Sequence, residues 1–235
     1  MLKRFLVWAT FILVASSASM TLAAGNQDTG DVELYELRKD FIETSLDGNR
    51  QHVRYWQYGW SSFYGLSAAA QTALWIDADN NDDRVNYAIG ALKSAAGLTE
   101  MLLRPHPGRY GATPMQGMPQ KTPAQRRQRL DSGESTLRDS AKRAESRYSW
   151  KSHIKVVGVN LVAGALIAGF GDSGDALTST AIGIAVGEAN IWTQPTRPED
   201  DWRKYQQEFP LTGQVAEPAW QLVPIFGGIA LVGKF

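Results

Sequence analysis

The 235-residue chain has no cysteine, only three histidines, and no surplus of either charge, with 24 basic and 24 acidic residues. Without Cys there is no thiolate nucleophile and no disulfide, so packing alone must hold the fold together, even in an oxidising compartment. Balanced charge removes the electrostatic footprint of a nucleic-acid binder. Metalloprotease HExxH spacing, a GxSxG elbow and a phosphate-cradling glycine loop are all missing. His52, His106 and His153 show no paired helical spacing. Only if the two halves pack pseudosymmetrically do His52 and His153 approach one another. The chain is therefore read as a non-enzyme with no cofactor, and a hydrolase ranks behind the other readings below.

What is present begins with "MLKRFLVWATFILVASSASMTLAAG". Lys3 and Arg4 precede an apolar run, which gives way to small residues near Ala23 and Ala24, the order of a secretory signal peptide. The apolar part is shorter than the roughly 20 residues that a bilayer-spanning helix needs. Residues 1–24 are accordingly expected to be a leader, and the protein to be exported to the periplasm or outer-membrane region of a bacterial envelope. Removing Lys3 and Arg4 leaves 22 basic against 24 acidic residues, a net charge of −2.

Two later stretches share a grammar, Arg54 to Pro105 and Arg147 to Pro195. Each opens Arg-Tyr near a Trp, runs through small and apolar residues, crosses a short acidic loop, continues through a second small-residue segment and stops at Pro. A shift of 90 residues places Ala91, Gly97 and Pro105 on Ala181, Gly187 and Pro195. The pattern predicts a duplicated helical hairpin. Each hairpin would be fed by a charged amphipathic helix, with Leu34, Leu37, Phe41 and Ile42 on one side of the first and Leu137, Ala141, Ala144 and Tyr148 on the second. The fold class is thus mainly α, a duplicated hairpin bundle of about six helices with a short C-terminal β-hairpin. Its expected divisions are a first repeat over 25–110, a Pro/Gly-rich basic linker over 111–133, a second repeat over 134–200, and a short helix with the β-hairpin over 201–235.

The acidic loop "DADNNDD" is the stretch most like a ligand site. Asp77, Asp79, Asn81 and Asp83 match the first four alternating ligand positions of an EF-hand loop, yet Asp82 stands where Gly is needed and Ala88 where a bidentate Glu should close the shell. Helix capping accounts for the loop better than calcium does. Asp82 or Asp83 is expected to cap the next helix, and Ser173 or Asp175 to do so in the second copy.

The hairpin helices are rich in Gly, Ala and Ser, which permits close approach of helix axes in a soluble core or in lipid. There are 16 uncharged residues between Lys155 and Asp172 and 22 between Arg54 and Asp77, but the longer run contains several Gln, Ser and Thr. Buried soluble helices are therefore expected, with membrane-inserted hairpins as the rival. Tyr55, Trp56, Tyr58 and Trp60 crowd the entrance to the first hairpin, where they suit either a core corner or an interaction surface. At the other end, Trp220, Leu222, Phe226 and Phe235 belong to two β-prone runs around Gly227-Gly228. That segment would join a partner, a membrane surface or a second copy of the chain. Function is accordingly read as a structural or interaction role in the envelope. The alternatives are a small apolar ligand held between the repeats, or a membrane-inserted hairpin protein.

Overall fold

A computed structural model describes the backbone of residues 2–210, 219–225 and 228–234, and the side chains of residues 30–210. The described chain is mainly helical. Helix α1 spans Leu2–Asp77, α2 Asn81–Leu103, α3 Thr113–Gln116, α4 Pro123–Tyr148, α5 Trp150–Phe170, α6 Ser173–Trp192 and α7 Arg197–Glu208, with one 3₁₀ turn at Pro107–Tyr110. Strands β1 (Ala219–Ile225) and β2 (Gly228–Lys234) pair antiparallel, with Leu222 opposite Leu231. The side chains of Trp220, Leu222, Phe226 and Phe235, and therefore their contacts, lie outside the described residues.

The charged entry helix and the first hairpin arm do not form separate elements as expected. They are one uninterrupted helix, because nothing between Asp47 and Trp60 breaks it: Gly48 and Gly59 are tolerated singly, and no Pro intervenes. The second half does break, at Ser149, whose ψ of 148° is extended and separates α4 from α5.

The buried stripe of α1 also differs from expectation. Leu34 and Leu37 are exposed, whereas Tyr35, Ile42, Leu46, Val53 and Trp56 are buried. Their spacing of 7, 4, 7 and 3 residues follows the period of a helix packed along its length. On α4 the expected Leu137, Ala141 and Ala144 are all buried.

Tyr35 faces Arg126, Ile42 lies against Gly133, and Trp56 carries the Arg143 guanidinium 5.7 Å from its ring centroid. These contacts advance in the same direction on both helices, so α1 and α4 run parallel. Helix α7 returns antiparallel, with Asn49 donating to Asp201 at 2.7 Å near its start and Phe41 meeting Phe209 near its end. Together α1, α4 and α7 form a base bundle whose core holds Ile42, Leu46, Met115, Leu130, Leu137 and Tyr205. At its centre the Tyr205 hydroxyl donates to Glu134 and accepts from Arg38 Nε at 2.8 Å, while Arg38 pairs with Glu134. Burial, followed by the bond to Glu134, pushes the Tyr205 phenol up.

The basic linker ends earlier than its composition suggests. Thr122 and Gln125 form a reciprocal capping box with Pro123 in the first turn, so "PAQRRQR" is helical. Its Arg129 reaches Glu43 at 2.7 Å. The preceding segment is pinned to α1 through Ala112 N–H donating to Asp47 at 3.0 Å. Gly111 there has φ +59°, and a Cβ would meet the Asp47 carboxylate at 2.3 Å, so the position requires glycine.

Above the base, the second part of α1 pairs with α2, and α5 pairs with α6, in two hairpins set side by side. Their caps fall earlier than predicted. Asn80 accepts from the Asp83 N–H at 2.9 Å, and Asp172 accepts from Gly174 and Asp175 N–H at 2.7 and 3.0 Å. The expected caps, Asp82, Asp83, Ser173 and Asp175, instead sit in the first turns, where a negative charge meets the positive end of the helix.

His106 joins the two tiers. It is fully buried; its N–H donates to Gln57 at 3.0 Å and its Nδ1 accepts from Gly108 N–H at 3.1 Å. Burial, then the nearby positive charges of Arg143, His52 and Arg109, lowers its pKa to about 3. A histidine depressed in the native state but free near 6.5 when unfolded gives stability that is complete above pH 6.5 and is lost as pH falls towards 3. From pH 7 to 5 the protein should lose about 2 kcal/mol through this residue. Thermal unfolding across that range should show the loss in the natural chain and a flatter profile in His106→Asn, and equal slopes in the two proteins would refute the assignment.

Candidate functional site

The exposed surface of the four hairpin helices is largely apolar, and their interior mixes buried Ala163, Ile167 and Ala176 with hydrogen-bonded polar side chains. Exposed positions include Leu66 and Ile76 on α1, Leu92 on α2, Leu161 and Val162 on α5, and Leu177 on α6. These surfaces are more exposed than buried core helices would be: only 22% of the most apolar window of α5 is buried. Between residues 62 and 76, 85 and 99, 156 and 170, and 176 and 187, every exposed residue is uncharged.

The polar groups of this tier meet one another within it. Gln71 donates to Ser67 and Ser94 at 2.9 and 3.1 Å, and those two hydroxyls are 3.0 Å apart. Lys93, the one charged residue within those four ranges, sends its Nζ across to Asn160 Oδ1 at 3.3 Å and to the Ser179 carbonyl and hydroxyl at 3.2 and 3.1 Å. Small residues seat these groups. A Cβ at Gly90 would fall 1.5 Å from the Gln71 carbonyl oxygen, one at Gly164 2.0 Å from the Thr180 hydroxyl, and one at Gly183 1.8 Å from the Asn160 carbonyl oxygen. Gly90, Gly164 and Gly183 thus receive polar side chains from the facing helix, while Gly97 and Gly187 receive the Tyr64 ring and Val156.

The aromatic cluster is divided. Trp56 is buried and donates its indole N–H to the Asn190 carbonyl at 3.2 Å, and Trp60 donates to Thr193 at 3.0 Å. Tyr55 and Tyr58 are exposed. Trp150, Trp192 and Phe63 are exposed as well, Phe63 packing on Trp60 and Trp192 on Tyr148 and His153. Trp192 and His153 both engage Glu188 Oε2, at 3.2 and 2.7 Å. His153 is therefore occupied with Glu188, and His52 is close enough to His106 to shift it; the structure gives no meeting of His52 with His153.

The basic residues of this level gather around one carboxylate. Arg147 donates to Glu100 at 2.8 Å and to Asn190, Lys155 lies 3.6 Å from Glu100, and Arg143 donates to the Arg104 carbonyl at 2.8 Å. Burial and the neighbouring Arg147 lower the Arg143 pKa to about 10. Sequence reasoning missed this cluster because its members come from α2, α4 and α5. A hint was available in the recurrence of Arg or Lys just before each apolar run.

The acidic loop behaves as a turn. Asp77 ends α1, Asp83 accepts from the Asn80 side chain at 2.7 Å, and Asn81 donates to the Phe170 carbonyl at 2.9 Å, tying the two hairpin turns together. Among the described residues, no three His, Asp or Glu side chains converge on a metal-sized site. The chain matches no protein-family model, no curated protein and no solved structure.

If Gly183 is a seat for Asn160, Gly183→Val should cost about 1–3 kcal/mol through overpacking. Gly169→Val, at a glycine with open space around it, should not. Thermal unfolding in mild detergent separates the two, and equal tolerance would show that the interior is not packed this way.

Proposed function

We propose that the protein is a membrane-inserted component of a bacterial cell envelope, in which the hairpins α1–α2 and α5–α6 enter the bilayer and the base bundle stays outside it to meet a partner. One observation carries the reading: between the ends of the hairpin helices every exposed residue is uncharged, and the lone Lys93 is satisfied from neighbouring helices in the interior. In lipid, ionisable groups face the bundle interior and bond there, whereas a water-soluble bundle has the opposite distribution.

Further support comes from the exposed Tyr55, Tyr58, Trp150 and Trp192, which lie with Arg and Lys towards the base end of the hairpin helices and fit a headgroup boundary. Among the described residues, α5 alone has the length and mean hydropathy, 1.7, of a crossing helix. The polar groups of the other three are concentrated on their inner faces, which lowers a mean taken over all faces without exposing those groups to lipid. At 1.5 Å per residue, α5 is about 31 Å long, close to the thickness of a hydrocarbon core.

On this account the N-terminal leader delivers the chain to the envelope. The two hairpins are read as a duplication, since α1–α2 and α5–α6 share helix order and acidic turn, and α1 and α4 touch at offsets of 91 (Tyr35–Arg126), 91 (Ile42–Gly133) and 87 residues (Trp56–Arg143), close to the sequence shift. The C-terminal hairpin is assigned to contact with a partner subunit. No catalytic role is proposed.

Carbonate washing of cells that express the full chain tests insertion. The natural protein should remain in the membrane pellet and require detergent for release. Leu161→Asp with Ile182→Asp, each placing a charge at a cost of about 3 kcal/mol near mid-membrane, should move it out of that pellet. Recovery of the natural protein as a monodisperse species without detergent would contradict the proposal.

A further inference from the structure

Between α2 and α5, and roofed by the ends of α4 and α6, lies an open cavity of about 800 Å³. Its two ends differ. At the base level Arg104, Arg147, Lys155, Ser146 and Ser152 line it, and deeper along the helices Ala96, Gly97, Val156 and Val159 present apolar or small surface. Lys93 and Asn160 close the deep end. Four cations and one carboxylate, Glu100, line this space, so the local balance is strongly positive in a chain whose overall balance is zero.

The donor capacity of the rim is not used up. Arg147 spends one terminal nitrogen on Glu100 and the other on Asn190, and its buried Nε has no partner. Asn190 is 3% exposed and lines the cavity, yet its Nδ2 also makes no hydrogen bond. Lys155 is largely exposed, 3.6 Å from the second oxygen of Glu100. Arg104 and the exposed Lys155 line the same space with N–H groups able to donate charge-assisted hydrogen bonds to the acceptor oxygens of a ligand.

We propose that this groove binds one anionic phospholipid, with its phosphate among Arg104, Arg147 and Lys155 and an acyl chain along Gly97, Val156 and Val159. A basic end at headgroup level continuous with an apolar channel between helices complements an anionic amphiphile, whereas a zwitterionic lipid would place its cation beside Arg104 and Lys155. Glu100 orients the Arg147 guanidinium and limits the charge repulsion while the groove is empty. This inference rests on the membrane reading above, since it places the rim at the bilayer surface.

Native mass spectrometry of the full chain in mild detergent, with equal amounts of phosphatidylglycerol and phosphatidylcholine, provides the test. One phosphatidylglycerol per chain should be retained, favoured at least roughly tenfold over phosphatidylcholine. Arg104→Gln with Lys155→Gln should abolish that preference while leaving carbonate-resistant membrane retention unchanged. Val159→Trp, which fills the apolar channel but keeps every charge, should also remove the bound lipid. Equal retention of the two lipids, or a preference untouched by the double variant, would overturn the groove and leave the insertion proposal standing. Displacement of the lipid by millimolar inorganic phosphate would equally overturn it, by showing a bare anion site. Loss of the natural chain from the carbonate-washed membrane would instead sink the insertion reading itself.

Discussion

Lys93 carries the only charge in the middle stretch of a four-helix unit whose exposed residues at that level carry none, and the arrangement of that unit follows from how the charge is met. Its ammonium group lies among Asn160 and Ser179 of the other hairpin, so α2 cannot separate from α5 and α6 without leaving a cation unsatisfied in apolar surroundings. Asn160 can take part because Gly183 leaves room for it, and Gln71 can reach Ser94 because Gly90 does the same. Polar side chain and facing glycine act as pairs. Such pairs fix helix rotation more tightly than interchangeable apolar contacts would, because a turned helix loses both the seat and the hydrogen bond.

The base bundle is built on different chemistry. Tyr205, Phe41, Phe209 and Trp202 stack into an aromatic cluster beside the Arg38–Glu134 pair, and Arg129 with Glu43 holds the start of α4 against α1. Continuity of α1 through both tiers couples them mechanically, as do Gln57, which joins the Met101 carbonyl and the His106 N–H, and Trp56, which joins the Asn190 carbonyl. The tier of hairpins is thus oriented by a bundle with an ordinary buried core. A surface presented by that bundle would move as one body with the hairpins.

Sequence patterning reveals helix content, the turn nature of both acidic loops and the buried stripe on α4, because each depends on spacing within one segment. It misses features that depend on which face of a helix meets which neighbour. Leu34 and Leu37 look like core from local hydrophobicity, but the face that meets α4 and α7 is set by Tyr35, Ile42 and Leu46. Mean hydropathy likewise hides the two faces of α1, α2 and α6, because an average taken along the chain cannot separate Ser67, Gln71 and Ser94 on the inside from Leu66, Leu92 and Leu177 on the outside. The caps at Asn80 and Asp172 precede the expected positions, because both loops contain several residues able to cap and the role falls to the last one with extended backbone before the helix. The basic rim around Glu100 is assembled from three helices, and no single stretch of sequence displays it.

Because the chain has no cysteine, a single Cys can carry a spin label at any chosen position, and collision rates with oxygen and a water-soluble nickel chelate report whether that position faces lipid or water. In proteoliposomes of the full chain, labels at Val162, Leu166, Leu177 and Ile182 should collide freely with oxygen and hardly at all with nickel, while Leu37 on the base bundle shows the reverse. High nickel accessibility at the four hairpin positions would place that surface in water and contradict a lipid-facing unit organised around Lys93.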